Sequence, residues 1–149
     1  MVDTSKIRYI KDQTSGNTVN EGNYWVELQA FDASGTNVAL NKTVTSSTGI
    51  AIEGTLALVT DGSTDTSPYM NPGGESPGWV MVDLGDLYDI RKIVVFHYYG
   101  DGRSYYNKKT MVSPDGDFWR IVCQEDLMPS SSEGNSIFIT AGGGYYGVE

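Results

Sequence analysis

The segment Asp61-Gly-Ser-Thr-Asp-Thr66 packs two carboxylates and three hydroxyls into six residues around a glycine turn. Ca²⁺ draws its ligands from hard-oxygen loops of this kind, completed by inward-pointing carbonyls. The spacing is not that of an EF-hand, whose acidic loop is longer and ends in a glutamate. An Asx turn with solvated carboxylates is the alternative for the same residues. A second stretch, His97-Tyr-Tyr-Gly-Asp-Gly-Arg-Ser-Tyr-Tyr-Asn107, mixes aromatic rings with multi-donor polar groups. Sugars need both, because their C–H faces stack on rings while their hydroxyls take paired hydrogen bonds. His97, Tyr99, Arg103, Tyr105 and Asn107 are the candidate ligand contacts there, with Tyr98 and Tyr106 beside them. The alternative is a tyrosine-rich loop packed on itself, with His97 a hydrogen-bonded strand end.

Catalysis has little to rest on. Asp83, Asp86, Asp89, Asp101 and Asp115 all fall at turns or strand ends, not as the facing pair that glycoside hydrolysis requires. No H-E-x-x-H or P-loop occurs. His97 is the sole histidine, so a Ser-His-Asp arrangement would have to use it. The expectation is a protein that is not an enzyme. Ten basic against nineteen acidic residues give a net charge of −9, which repels nucleic-acid phosphates and anionic membranes. No apolar run approaches the ~20 residues of a membrane span, and the polar opening Met1-Val-Asp-Thr-Ser-Lys is not a signal peptide. The single Cys123 excludes an internal disulfide and fits a small core residue.

The elements that must hold these loops read as strands. Val80, Val82 and Leu84 alternate with Met81 and Asp83, the period of a strand with one buried face. Ile90 to Phe96 is an apolar β-branched run. Asp115-Gly116 turns the chain tightly between a strand ending near Val112 and one carrying Phe118, Trp119, Ile121 and Val122. Earlier strands fall at Lys6 to Ile10, Tyr24 to Phe31 and Val38 to Thr45, and Leu56 to Thr60 leads into the acidic loop. Ile137 to Thr140 is the expected last strand, and residues 141–149 a Gly/Tyr-rich tail or linker. Trp79 and Trp119 are expected in the core. A chain of 149 residues has the size of one domain with its own core, so residues 1–149 read as a single all-β jelly-roll sandwich of about eight strands, its core at about 6–140.

The wording Trp79…Val82-Asp-Leu-Gly85, Ile90-Arg-Lys-Ile93 and Val112-Ser-Pro-Asp-Gly-Asp-Phe-Trp119 resembles the discoidin-like (coagulation factor type C) and galactose-binding-like carbohydrate-binding modules. In that family a strand like Arg8-Tyr-Ile10 and one like Trp25-Val-Glu-Leu-Gln-Ala-Phe31 normally close the domain, whereas a stretch like Asn37 to Thr45 opens it. Here the order is reversed, as in a circular permutation with Asp32 to Thr36 as the new link. The permutation predicts Arg8 to Ile10 beside Ile137 to Thr140, and Trp25 to Phe31 near Asn37. The resemblance further implies a structural Ca²⁺ held by Asp61, Thr66, the carbonyls of Leu58 and Ser63, and Glu27. Ser67-Pro-Tyr69 stands where the family usually has a tryptophan. Related modules bind glycans through loops at one end of the sandwich, so Tyr69, Asn71, Asn20, Asn23 and Tyr24 are candidates to complete the rim. The implied function is non-catalytic attachment of a larger multivalent assembly, such as a phage tail or a cell-surface protein, to a cell-surface glycan. The implied location is extracellular or on a virion, without membrane insertion. A structural or protein-interaction module of a tail-fibre or adhesion protein, lacking a sugar site, is the alternative.

Overall fold

The computed structural model describes residues 5–140 and 145–148. Among them run β1 (Ile7–Thr14), β2 (Glu27–Asp32), β3 (Thr43–Ser46), β4 (Gly78–Tyr88), β5 (Ile90–Phe96), β6 (Ser104–Ser113), β7 (Arg120–Pro129), β8 (Asn135–Ile139) and β9 (Tyr145–Val148). All pairings are antiparallel and form two sheets, ordered β3-β4-β1-β6-β7 and β2-β5-β8-β9. One apolar core joins them. It takes Ile10, Val80, Val82 and Val112 from the first sheet and Leu28, Ile93, Val95 and Ile137 from the second. The expected all-β sandwich is therefore the fold.

The alternation that makes β4 a strand also makes β1 one, and carries it past Ile10 to Thr14. Its inward row is Ile10, Asp12 and Thr14, so the period-two pattern drives a carboxylate into the core. A buried charge is tolerated only where it is paired and hydrogen-bonded. This explains a correction to the permutation argument. β1 does not lie beside the Ile137 strand; it pairs with β4 and β6 in the other sheet, while β8 pairs with β5 and β9. β6 offers Lys108 and Thr110 to Asp12, whereas the inward face of β8 offers Ile137 and Ile139. The other half of the expectation is met: Phe31 bridges to Asn37. The Asp32–Thr36 link is a tight turn in which the Asp32 carboxylate accepts from the Ser34 and Thr36 N–H groups at 3.0 and 3.1 Å.

Other expectations shift. Leu56–Thr60 is a short 3₁₀ turn packed on β2 and β3, and only Thr43–Ser46 of the Val38 to Thr45 stretch is a strand. Trp79 and Trp119 are half-buried on the outer face of the larger sheet. There the Lys11 ammonium lies 4.4 and 5.8 Å from their ring centres, and Trp25 is the tryptophan sealed in the core. Phe118 is exposed in the turn before β7. Cys123 is buried as expected, and desolvation pushes its thiol up to about 11. Within the Gly/Tyr-rich tail, Tyr145–Val148 is a strand on the edge of the smaller sheet; residues 141–144 and 149 lie outside the described residues.

Candidate functional site

Three tyrosines meet between the loops that follow β1, the 3₁₀ turn and β5. Tyr24 and Tyr69 pack edge to face at 5.1 Å, Tyr69 and Tyr98 at 5.3 Å, and Tyr24 and Tyr98 at 6.4 Å. Rings this close leave no space between them, so a ligand meets the outer surface of the cluster. Backbone bonds between Trp25 and Met70 run in both directions at 2.9 and 2.8 Å and hold the Tyr24 and Tyr69 segments side by side. Gly22 lies directly beneath the Tyr24 ring, where a Cβ would collide with it. The Arg103 guanidinium sits 4.7 Å from the centre of the Tyr98 ring and 5.6 Å from that of Tyr24. It donates to both Asp101 oxygens at 2.9 and 2.7 Å and to Asn17 Oδ1 at 3.4 Å. These four residues and Asn20 line a cleft of about 140 Å³. Edge-to-face rings beside a planar multi-donor group make a surface suited to a polyhydroxylated ligand. At the rim, the Tyr69 hydroxyl donates to Glu53 at 3.0 Å and the Asn71 amide to the same carboxylate at 2.9 Å.

Several residues read from the sequence as ligand contacts are placed behind this surface instead. Ser104–Ser113 is a strand rather than a loop, and its alternation turns Tyr105 inward. Tyr105 is sealed from solvent, stacks on His97 at 4.5 Å and donates its hydroxyl to the Tyr98 carbonyl at 2.9 Å. His97 is buried too. Its Nδ1 lies 2.8 Å from the Tyr24 carbonyl, which can only accept, so Nδ1 carries the proton. Nε2 then accepts from the Lys108 ammonium at 3.0 Å. Burial and the Lys108 charge hold the imidazole below its ordinary proton affinity, against the pull of Asp12. Asn23 is buried, its carbonyl accepting from Thr14 Oγ1 at 2.8 Å and the Gly16 N–H at 2.7 Å. Thus His97, Tyr105 and Asn23 hold the cleft's backbone rather than line it. Tyr99 turns the other way and donates to the Thr64 carbonyl at 2.7 Å. Asn107 is exposed on β6 with φ of 51° and does not line the cleft. Arg103 and the rim candidates Tyr69 and Tyr24 line it, with Tyr98, which the sequence marked only as a neighbour.

Under the cleft lies a network that the sequence reading missed. Asp12 accepts from Trp25 Nε1 at 2.9 Å, Thr110 Oγ1 at 2.6 Å and Lys108 Nζ at 2.8 Å. Burial alone would push its carboxyl up, but the Lys108 charge and hydrogen bond, with His97 beside it at 3.4 Å, outweigh that and hold it well below the usual carboxylate range. An acidic residue at an inward position of β1's alternation was the available signal.

The acidic loop meets β2 at Glu27. Glu27 is wholly buried and neither carboxylate oxygen has a hydrogen-bond partner. Desolvation, then the negative charge of Asp61, push its carboxyl up to about 8; the Gln29 side chain and Gly62 N–H offset this in part from outside hydrogen-bonding geometry. The loop's other groups are engaged too: Asp61 Oδ1 accepts from Ser63 N–H at 2.9 Å, the Leu58 carbonyl from Asp61 N–H at 3.3 Å, and Thr66 Oγ1 from Tyr99 N–H at 3.3 Å. Among the described residues no group of three or more His, Cys, Asp or Glu side chains is placed to hold a metal. A cation here would therefore need carbonyl and hydroxyl oxygens besides Glu27 and Asp61.

The family model of the NedA-like, galactose-binding domain matches residues 58–145. The chain belongs to this family, whose galactose-binding-like sandwich is the architecture described above. No curated protein and no solved structure matches it. Among the described residues no helix is long and apolar enough to cross a membrane.

Proposed function

We propose that this domain is a non-catalytic carbohydrate-binding module, which attaches a larger assembly, such as a phage tail or a cell-surface protein, to a glycan-bearing surface. The observation that carries the reading is the cluster of Tyr24, Tyr69 and Tyr98 under a guanidinium fixed by Asp101. A half-buried aromatic cluster beside a braced planar donor is arranged before any ligand arrives, which lowers the ordering cost of binding. The test is a glycan array probed with a multivalent form of the domain, repeated with Tyr98→Ala. Binding of a defined glycan set that this substitution removes supports the reading. Absence of binding across the array favours the structural-module alternative.

Calcium belongs to the same proposal. Glu27 and Asp61 fit a hard divalent cation because a buried, unbonded carboxylate beside a second acid lacks only the positive charge. Glu27, Asp61 and Thr66, with the carbonyls of Leu58 and Ser63, would hold the ion. When bound, it would neutralise the two acids and fix the loop that leads into Tyr69.

A further inference from the structure

A larger cavity opens beside the tyrosine cleft. Ser15, Asn20 and Glu21 on one side and Glu75 and Ser76 on the other enclose about 470 Å³, with the exposed ring of Tyr106 in its lining. Asn20 lines both cavities. The tyrosine cleft alone, about 140 Å³, is smaller than the ~300–1,000 Å³ of small-molecule sites and so accommodates only part of a ligand. Its neighbour lies inside that range.

The walls are set in advance. Asn17, itself buried, accepts from the Val19 and Asn20 N–H groups at 2.9 Å and donates to the Gly22 carbonyl at 2.8 Å. Backbone bonds from Ser15 to Tyr106 at 2.8 Å and from Tyr106 to Gly16 at 3.0 Å fasten this loop to β6. The Asn23 amide donates to Ser76 Oγ at 3.3 Å and ties in the opposite wall. The lining combines an aromatic face with amide and hydroxyl groups, and its only charged side chains are Glu21 and Glu75.

We propose that this cavity is a second sugar subsite: it takes the next hexose of an oligosaccharide whose neighbouring unit rests on the tyrosine cluster, and it disfavours a hexose carrying a carboxylate. The inference rests on reading the tyrosine cleft as a glycan site. Volume and continuity carry it, because a ligand too large for the cleft extends where the surface is already hollow. The two glutamates set the selectivity, since like charges at short range repel.

Titration calorimetry of the domain with galactose, galactobiose, galacturonate and digalacturonate tests this. The expected result is that galactobiose binds about tenfold more tightly than galactose, as one or two added hydrogen bonds provide. The gain from galacturonate to digalacturonate should be smaller by roughly 1.4- to 5-fold, the scale of exposed charge pairs. Tyr106→Ala should remove most of the length gain, and Glu21→Gln with Glu75→Gln should restore it for digalacturonate; all three residues are exposed, so melting temperatures should hold. If galactose binds and galactobiose gains nothing, or if Tyr106→Ala leaves the gain intact, the subsite is wrong while the cleft stands. If no sugar binds, both readings fall.

Discussion

Glu27 puts a carboxylate into the interior with no group to bond it, and that makes its charge state measurable through stability. Its folded proton affinity, about 8 against an ordinary 4.5, is raised, so its contribution is fully present below about pH 4.5 and lost as pH rises towards 8. A shift of that size is worth on the order of 5 kcal/mol. Metal-free Glu27→Gln should therefore gain stability relative to the parent as pH rises from 5 to 8. The difference is the quantity to measure, because His97, held neutral by burial, works in the opposite direction below about pH 6.5. Ca²⁺ at a hundredfold excess over its Kd should add about 2.7 kcal/mol to the parent and nothing to Glu27→Gln. Thermal melts with Ca²⁺ or EDTA decide it; equal shifts in both proteins would place the ion elsewhere. Arg103 supports a second expectation at this scale. Its side chain is nearly buried and bonded to Asp101 and Asn17, so Arg103→Ala should cost about 1.5–3 kcal/mol of glycan binding and, unlike a free loop arginine, also lower the melting temperature. The arginine was legible in the sequence as a chemical type; its bracing was not, because Asn17 is far away in the chain and reaches it only through the fold.

Among the elements, β1 explains most of what the sequence left hidden. Hydrophobic alternation revealed β4, β5 and the turn at Asp115-Gly116, where the pattern is apolar on one face and broken by turn formers. It understated β1, whose inward row is half polar, and it missed the first part of β6, whose aromatic polar start looks like a loop. Both strands are held by the same buried contact, Lys108 to Asp12 at 2.8 Å. Removing one partner of a buried pair leaves an uncompensated charge, so Lys108→Met should destabilise the domain by about 3–5 kcal/mol. Asp12→Asn combined with Lys108→Met should recover part of that loss. Urea denaturation of the single and double variants checks this, and an additive double variant would show that the pair is not coupled. His97 and Tyr105 follow from the same strand geometry: residue types apt for sugar contact are spent on holding the carbonyls of Tyr24 and Tyr98.

At the scale of the molecule, the family match spans residues 58–145, while Tyr24, Glu27 and Asp12 come from the segment before it. The Asp32–Thr36 segment, expected as the link of a permuted order, is a short turn; the predicted neighbour of β1 was wrong because sheet membership depends on buried partners that chain order does not reveal. The cleft's small volume, about 140 Å³, has a consequence for how an attachment module would work. A shallow site buries little of a sugar and leaves only a small surplus over the lost freedom of association, so one domain should hold a glycan weakly and release it quickly. Attachment then depends on repetition, with linked copies gaining roughly 10²–10⁴ in avidity when the glycans can be reached together. A four-copy display of the domain on a glycan-coated sensor should dissociate at least a hundredfold more slowly than the single domain, and free monosaccharide should abolish the difference. A tetramer that leaves the surface as fast as the monomer would argue against an attachment role even where the monomer binds sugar.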